Sequence, residues 1–540
     1  MHPRVLCLRQ GTRFVRGDEL LQRKEAKTQR RTWRPENSQA AFLCVSATLR
    51  WLLFLSNVSR QQRETDCRCV FALKHSLFDL APGTLYEVKL VLSDPDGGEG
   101  EKVLRMSTRP VPVAPADAQV LPVTVAQLGK AVEEASPGQV LLVEPGTFQG
   151  SLNLAGKSGT AEKPIVLRAA EPGKTVVDAQ GARSVVDVSE SACVYLEGLT
   201  LRGAQWAGVE ANGAMGLVVR RRTSEGVRQG IANTDRNRPG RDFYIADNVI
   251  VGPYQWPTIG IKSEEGVQLC GSGHVVCYNR VRGWSDGVAI VDQLGNVYPA
   301  SAIDFYNNEI SECTDDGIEM DNGEHNDRAF RNRLTDCHQG ITNQPIYGGP
   351  CYIVRNVIYN LPGSPFKLHN RTSGVVVLHN TQVRSGRAPG AFLHNSSAPV
   401  RNVYFRNNLF LGKGDRAIQS WSNFTSADLD YDGYSAGLCA FTREGTAYRA
   451  TSLEEFARKS GLETHGVAVD LSVFAQPVAF PVDEERHEPP DLRLRPGSAA
   501  VDAGVRLPNV NDGFTGSAPD LGAYEVGQEL PVYGPRPEGQ

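Results

Sequence analysis

One stretch of the chain carries acidic side chains whose types and spacing suit a catalytic or metal-binding site. Asp286 precedes a glycine, the pair Asp315 and Asp316 precedes another, and Glu319 and Asp321 follow that pair. Carboxylates held close together raise one another's pKa, which can make an acid and a base from identical side chains. For Asp286 alone, ordinary Asp-Gly turn chemistry is the simpler interpretation. The adjacent pair, followed by two more acids, indicates a functional site.

A repeat of fixed period provides the surface on which these side chains meet. Asparagines recur every 24 residues, and weaker partners extend the series in both directions: Asn308, Asn332, Asn356 and Asn380, with Asn248, Asn279 and Asn408 outside them. A period of about 20 to 50 residues indicates stacked units, none of which buries its apolar face alone. We expect these asparagines at bends between strands, because Asn tolerates left-handed backbone. Their amides can also bond from one coil to the next.

The repeat units begin at Gly-apolar pairs, among them Gly260-Ile261, Gly287-Val288 and Gly317-Ile318. Short strands in units of this size predict an all-β fold, a right-handed parallel β-helix. Equivalent positions of successive coils then lie about 4.8 Å apart and form columns. Two outward columns are predicted: Glu210, Ala232, Lys262, Ala289, Glu319, Thr342 and Lys367, and Asn212, Thr234, Glu264, Val291, Asp321, Gln344 and His369. Charge concentrates in the middle coils, which predicts a groove there, provided that the bend before each glycine turns the aspartates outward.

The acidic motifs resemble those of polygalacturonases, which are right-handed β-helix glycoside hydrolases. The resemblance rests on Ser-Asp286-Gly-Val, Thr-Asp315-Asp316-Gly-Ile, Cys-His338-Gln-Gly-Ile and Pro-Phe-Lys367, in that order. It implies that the three aspartates act as acid and base, that His338 orients the site and that Lys367 binds a uronate carboxylate. The histidine is shifted by one residue, and a proline stands where the family has an arginine. More widely, residues 76–535 resemble bacterial β-helix proteins of the pectate-lyase-like superfamily.

These observations predict an enzyme that cleaves an acidic, uronic-acid polysaccharide, with a polygalacturonase-like hydrolase as the main hypothesis and no required cofactor. The predicted catalytic residues are Asp286, Asp315, Asp316, Glu319 and His338, and the predicted substrate-binding residues are Lys262, Asp321, Gln344, Tyr347, Lys367, His369 and Arg371. Two carboxyl groups across a glycosidic bond are the usual requirement for hydrolysis.

Two alternatives use the same face differently. A polysaccharide lyase or uronan epimerase needs a base, for which Lys262, Lys367, His369 and Arg371 are candidates. It also needs a cation to neutralise the uronate, and Ca²⁺ bound by Glu264, Glu319 and Asp321 is the candidate, because Ca²⁺ takes oxygen ligands. A non-catalytic carbohydrate-binding or adhesion solenoid is the third hypothesis, because fold does not dictate function.

The chain divides into four predicted parts. Residues 1–75 are basic, with fifteen Lys and Arg against six Asp and Glu up to residue 74, and are interpreted as a disordered arm or a mistranslated start. Residues 76–110 resemble the later strands of a fibronectin type III sandwich, with Tyr86 as its corner tyrosine. Residues 116–440 form the β-helix with an N-terminal cap. Residues 441–540 form a C-terminal helix, a capping segment and a tail.

Composition excludes several classes of partner. The net charge is −4, and no basic stripe is interleaved with aromatic residues, so nucleic acid is not expected. No apolar run is long enough to span a membrane, and we expect a monomer. The eleven cysteines show no zinc spacing, and those in the repeats are predicted to be buried thiols. No signal peptide is visible at Met1, although a polysaccharide-cleaving enzyme of this type is expected in the periplasm or outside the cell.

Overall fold

Short parallel strands, each paired with its equivalent in the next repeat, build most of the chain in the computed structural model. The structure describes residues 41–45, 76–93, 99–290, 300–385 and 398–537. Two units separate by their contacts: Met1–Val111 with Pro508–Val510, and Pro112–Leu507 with Asn511–Gln540. The second unit is a right-handed parallel β-helix of about 12 turns, as the sequence predicts.

The strands of the first half are β1 (Ala41–Val45), β2 (Leu85–Ser93), β3 (Glu99–Ser107), β4 (Gln119–Val123), β5 (Gln139–Val143), β6 (Gly146–Gln149), β7 (Leu152–Asn153), β8 (Ile165–Ala169), β9 (Thr175–Asp178), β10 (Ser184–Asp187), β11 (Val194–Glu197), β12 (Leu199–Arg202), β13 (Ala207–Glu210), β14 (Val218–Arg220), β15 (Thr223–Glu225), β16 (Gln229–Ala232), β17 (Gly240–Arg241), β18 (Tyr244–Ala246), β19 (Val249–Val251) and β20 (Glu265–Leu269).

The remaining strands are β21 (Gly271–Ser272), β22 (Val275–Cys277), β23 (Arg280–Arg282), β24 (Asp286–Ile290), β25 (Asp304–Tyr306), β26 (Glu309–Glu319), β27 (Arg328–Phe330), β28 (Arg333–Asn343), β29 (Tyr347–Val354), β30 (Val357–Tyr359), β31 (Phe366–Leu368), β32 (Ser373–Leu378), β33 (Thr381–Arg384), β34 (Val400–Arg406), β35 (Leu409–Gly412), β36 (Arg416–Asp430), β37 (Gly433–Ser435), β38 (Leu438–Arg443), β39 (Thr446–Ala450) and β40 (Val467–Val469). The α-helices are α1 (Leu128–Glu134) and α2 (Leu453–Ser460).

The strands stack into three long ladders around one apolar core. The site ladder contains β7, β10, β13, β16, β20, β24, the C-terminal half of β26, β28 and β31. The tail ladder runs from β6 through β9, β12, β15, β19 and β23 to β40. The third ladder runs from β4 to β38 and ends with antiparallel β39. Because β26 and β28 pass through two ladders, they fix the site ladder rigidly to its neighbour.

A continuous row of buried amides holds successive coils in register. Asn308 Nδ2 donates to Asn332 Oδ1 at 2.9 Å, Asn332 to Asn356 at 2.9 Å and Asn356 to Asn380 at 3.0 Å. Each amide also donates to a main-chain carbonyl and accepts a main-chain N–H, as Asn332 does with Phe305 and Asn308. The row begins at Asn248 and ends on Asp432. The predicted coil-to-coil bonding is confirmed.

The predicted backbone conformation of these asparagines is wrong, because the residue before each one bends the chain. Positive φ occurs at Asn307, Arg331, Arg355 and His379, with values between 53° and 55°, whereas the ladder asparagines keep ordinary backbone. The left-handed residue makes the corner, and the following amide then points inward. The cysteines of the repeats are free thiols, and all but Cys193 are buried, as predicted.

Both described ends of the stack are covered. At the start, α1 places Leu128 and Val132 on the first coils, fully out of solvent. Near the end, α2 packs Phe456 against Phe441, and it is capped by Ser452, whose side chain accepts the N–H of Glu455. Residues 471–507 and 511–526 lie along the tail ladder, where Leu492 and Leu521 join a second apolar cluster. No described helix has the length and apolar character needed to cross a membrane.

The smaller unit contains β1 and the antiparallel pair β2 and β3. Its Tyr86 hydroxyl accepts the N–H of Ala81 at 2.8 Å, the local bond of a corner tyrosine. The likeness of this segment to a fibronectin type III domain stays a prediction. The interpretation of residues 1–75 concerns residues that, apart from 41–45, lie outside the described part.

The amide row makes a direct prediction about stability. Asn332→Ala should lower the free energy of unfolding by about 3 kcal/mol, because it removes the acceptor of two N–H groups of Asn308 and the amide donor to the Phe305 carbonyl in a buried setting. Asn237→Ala changes an exposed asparagine and should stay within about 0.5 kcal/mol of the parent. Urea unfolding followed by circular dichroism measures both, and equal stabilities would contradict a role for the row in holding register.

Candidate functional site

The register of the site ladder brings distant residues into contact. Glu319 pairs with Thr342, and Thr342 pairs with Lys367, on three successive coils. Asp286 pairs with Glu265 on one side, and Asp316 pairs with Gln339. The predicted outward column therefore exists over these coils.

Polar contacts place the aspartate carboxylates on the face of the site. Asp316 Oδ2 accepts from Lys367 Nζ and Thr342 Oγ1, and Asp286 Oδ1 accepts the main-chain N–H of Asp316. The glycines that follow lie against the core: a side chain at Gly287 would meet Ile310 Cγ2 at 2.5 Å, and one at Gly317 would meet Leu334 Cδ2 at 2.5 Å.

Asp286, Asp315 and Asp316 form what we call the acidic cluster. One carboxylate oxygen of each lies within 4.8 Å of the others, and all three side chains are buried. The main-chain N–H of Asp316 donates to Asp286 Oδ1 at 2.7 Å. Asp316 Oδ1 is buried and has no hydrogen-bond partner among the described residues, so one acceptor oxygen of the cluster residues has no donor there.

Lys367 closes one side of the cluster. Its Nζ lies 3.3 Å from Asp316 Oδ2, and the two side chains are 12% and 3% exposed. Thr342 Oγ1 donates to the same oxygen at 3.2 Å. An ammonium that is nearly buried beside acids can act as a counter-ion or, once neutral, as a base.

Burial and mutual repulsion raise the carboxyl pKa values throughout the site. Burial first, then Asp315, raises the pKa of Asp286 to about 6. Burial, with Asp286 adding to it, raises the pKa of Asp316 well above its usual range, and burial does the same to Glu319. Burial raises the pKa of Asp321 to about 7, although Lys367 opposes the shift. The site therefore favours protons or another positive charge over free carboxylates.

The carboxylates of the site stabilise the charged form of Lys367. Burial lowers its pKa, but the charges of Asp316, Asp315 and Asp321 more than offset burial, so the net pKa is raised. A cation bound among the carboxylates would remove part of this stabilisation and make the neutral amine more accessible.

Glu265 lies in the same column of residues as Asp286 and Asp316, but the sequence analysis did not predict it as a site residue. It lies one coil from Asp286, is 7% exposed, and its Oε2 has no partner among described residues. Burial, then Asp286, raises its pKa to about 10. The signal was present, because Glu265-Gly266-Val267 repeats the motif Asp286-Gly287-Val288.

The predicted positions of Lys262 and Glu264 are wrong, and the cause is the same one that left Glu265 out of the prediction. The repeat begins at Gly266, not Gly260, because residues 252–264 are an extra loop before β20. Lys262 and Glu264 therefore leave the predicted columns, and Gln268 takes the place of Lys262. Glu264 binds Arg228 and the hydroxyl of Tyr254, so it does not share a column with Asp321 as a calcium ligand. Val291 of the same column lies outside the described residues.

The other predicted residues border the site. His338 Nδ1 lies 3.7 Å from Asp315 Oδ1. The main-chain N–H of Gln344 donates to Asp321 Oδ1 at 2.8 Å, and the Tyr347 hydroxyl donates to Asn322. His369 and Arg371 follow β31, with Arg371 exposed.

The acidic cluster has the chemistry of a divalent-cation site. Two oxygens bound to one Ca²⁺ lie at most about 5 Å apart, twice the Ca–O distance, which the 4.8 Å limit meets. The partnerless Asp316 Oδ1 and the all-oxygen donor set also fit a hard cation. Asp286, Asp315 and Asp316 would hold it, with Glu319 on the same face.

Several known proteins are similar to this chain in sequence or in structure. Residues 265–430 match the family model described as "Right handed beta helix region". The chain is similar to pectate lyase L of Dickeya dadantii (strain 3937), with 25% identity over 425 residues, 73% of this chain and 84% of that one. Pectate lyase L of Dickeya chrysanthemi is 24% identical over the same shares. The crystal structure of pectate lyase Pel9A superposes with a TM-score of 0.47 and 18% identity, over 75% of this chain and 96% of that one.

The buried acids predict a stability that depends on pH. A carboxyl whose pKa is raised by folding destabilises the fold progressively above its unfolded pKa. Replacing it by an amide should remove that effect, so Glu265→Gln should gain on the parent by about 1 kcal/mol per pH unit above pH 5. Thermal unfolding at pH 5, 6.5 and 8 with chelator present measures this. The exposed Glu162→Gln should show no such trend, and a constant difference for Glu265→Gln would refute the assigned pKa.

Proposed function

We propose that the protein is a polysaccharide lyase that cleaves an acidic, uronic-acid polysaccharide by β-elimination. The observation that carries the proposal is the Lys367 ammonium, 3.3 Å from Asp316 at the edge of the acidic cluster. A candidate base thereby adjoins a group of oxygens suited to Ca²⁺. The similarity to pectate lyase L supports the same class of reaction, because the relative is named for lyase activity on pectate.

The reaction requires a base and a way to stabilise negative charge. A base removes the proton from the carbon next to the uronate carboxyl group. The electron pair left behind forms a carbon–carbon double bond as the bond to the glycosidic oxygen breaks. The leaving oxygen takes a proton and becomes a hydroxyl. No water is consumed, and one product carries the new double bond.

The residues of the site divide these tasks. Asp286, Asp315 and Asp316, with Glu319 nearby, would hold Ca²⁺. When bound, that ion would neutralise the substrate carboxylate and acidify the neighbouring proton. Lys367 in its neutral form takes the proton. His338, beside Asp315, orients that carboxylate.

A glycoside hydrolase is the second candidate, favoured by the stacked carboxyls and by the pKa of about 6 for Asp286, which suits an acid. The spacing fits less well. Hydrolases place their two carboxyl groups on opposite sides of the bond, about 5–5.5 Å or about 6.5–9.5 Å apart, whereas the three acids of the cluster each bring one oxygen into a single group within 4.8 Å. An epimerase on the same face would invert the sugar carbon without cutting the polymer.

The proposed substrate has consequences for location. Uronic-acid polysaccharides are met outside the cytoplasm, so we propose that the protein works in the periplasm or outside the cell.

Lys367 provides the first test of the proposed reaction. Lys367→Ala should slow release of unsaturated, ultraviolet-absorbing products from a uronic-acid polymer by about 10²- to 10⁴-fold, and the parent rate should rise with pH as the amine loses its proton. Lys413→Ala, at an exposed lysine, should leave the rate unchanged. New reducing ends without ultraviolet absorption would show that the reaction is hydrolysis. Full activity of Lys367→Ala would exclude Lys367 as the base.

Cation dependence provides the second test. Chelation should abolish cleavage, and Ca²⁺ should restore it and raise the midpoint of thermal unfolding, since a ligand at 100 times its Kd adds about 2.7 kcal/mol. Asp315→Asn should lose most of the thermal shift, whereas Asp415→Asn, 80% exposed, should keep it. Cleavage that persists in chelator would contradict the calcium part of the proposal.

A further inference from the structure

A second row of residues leads from the acidic cluster along the site ladder. Five members immediately precede a strand of the site ladder, and the sixth lies at the equivalent position inside β26: Arg183, Trp206, Arg228, Glu264, Ser285 and Asp315. We call it the pre-strand row. Main-chain bonds join its neighbours, including Trp206 N–H to Arg183 O at 2.8 Å, Arg228 N–H to Trp206 O at 2.9 Å and Asp315 N–H to Ser285 O at 2.9 Å. Its members therefore lie in line along the stack.

The far end of the row exposes two guanidinium groups. Arg183 pairs with Glu210, and their side chains are 68% and 11% exposed. Arg228 pairs with Glu264, at 51% and 16%. In both pairs the carboxylate is the more buried partner, so the guanidinium group is the part of the pair that is exposed to solvent. The salt bridges fix the orientation of each fork, and neither Nη1 forms a hydrogen bond with the described residues.

Trp206 lies between these arginines in the row. Its ring is partly exposed, and the guanidinium carbon of Arg183 lies 5.6 Å from the ring centroid. An aromatic ring offers an apolar surface to the face of a sugar, and arginine forks bind carboxylates with two parallel bonds. A uronic-acid polymer presents sugar faces and carboxylates along its length. Trp206 can contact a sugar face, and the two arginines can bind carboxylates.

The distance to the acidic cluster sets what the row can bind. Three coil steps separate Arg228 from Asp315 and five separate Arg183, which corresponds to about 14 Å and about 24 Å. Only an oligosaccharide of several sugars spans from the cluster to these arginines.

We propose that Arg183, Trp206 and Arg228 form a distal subsite for uronic-acid chains that extend away from the cleaved bond. This rests on the proposed function, and it adds that the protein prefers long chains. Surface ion pairs in a solenoid are commonly structural, but a structural role gives no dependence on substrate length. The length dependence therefore separates the two roles.

The experiment compares a uronic-acid trimer with long polymer, using Trp206→Ala, Arg228→Gln and the parent. The KM for the polymer should rise about tenfold in each variant with kcat unchanged, and trimer kinetics should not change. Arg202→Gln is the matched control, because Arg202 pairs with Asp178 at 44% and 15% exposure on the tail ladder. Trp206→Phe should recover most of the affinity.

Two results would overturn the subsite: an unchanged polymer KM in folded variants, or an equal loss with trimer and polymer. If the parent cleaves no uronic-acid polymer, the proposed function fails separately. Binding of the polymer, followed by calorimetry, then decides the subsite: weaker binding in Trp206→Ala and Arg228→Gln supports it, and unchanged binding refutes it.

Discussion

In-register stacking of the coils is the constraint on which the rest of the structure depends. The buried amide row enforces it, because each asparagine bonds to the next and to the main chain on both sides. A slip of one residue would leave these groups buried without partners, at about 1–3 kcal/mol for each. Interior glycines add a steric requirement, since Gly287 and Gly317 lie against core side chains. Register is thus fixed by polar bonds and by close packing together.

The same constraint forces like charges together. Asp286, Asp316 and Glu265 occupy adjacent positions because the backbone places them there, although burial and repulsion raise the pKa of each. Among the described residues, Lys367 is the one cation within ion-pair distance of Asp316. Local conflicts of this kind in an otherwise consistent fold are expected at functional sites. In the proposed function, Ca²⁺ bound by these carboxylates would offset their repulsion, so stability, cation binding and catalysis would depend on one set of residues.

Much of this arrangement could be predicted from the sequence, because period is a one-dimensional signal. The asparagine spacing predicted the fold, and the glycine phase predicted that Glu319, Thr342 and Lys367 are neighbours. The predicted alignment of the repeats was wrong where a loop before β20 interrupts the period. That loop contains Gly260-Ile261, which resembles the start of a repeat, so Lys262 and Glu264 were placed in the wrong columns and Glu265 was not predicted. The left-handed corners at Arg331 and Arg355 were also missed, because no residue type there signals positive φ. The convergence of Asp286, Asp315 and Asp316 within 4.8 Å depends on the bends of the backbone, which the sequence pattern does not give.

The most direct test of the account is the anomalous diffraction signal of crystals soaked in Ca²⁺. A single strong peak should lie within about 2.3–2.6 Å of oxygens from Asp286, Asp315 and Asp316, with Lys367 beside it. A peak elsewhere with the acidic cluster vacant, or coordinates that separate these aspartates, would contradict the account.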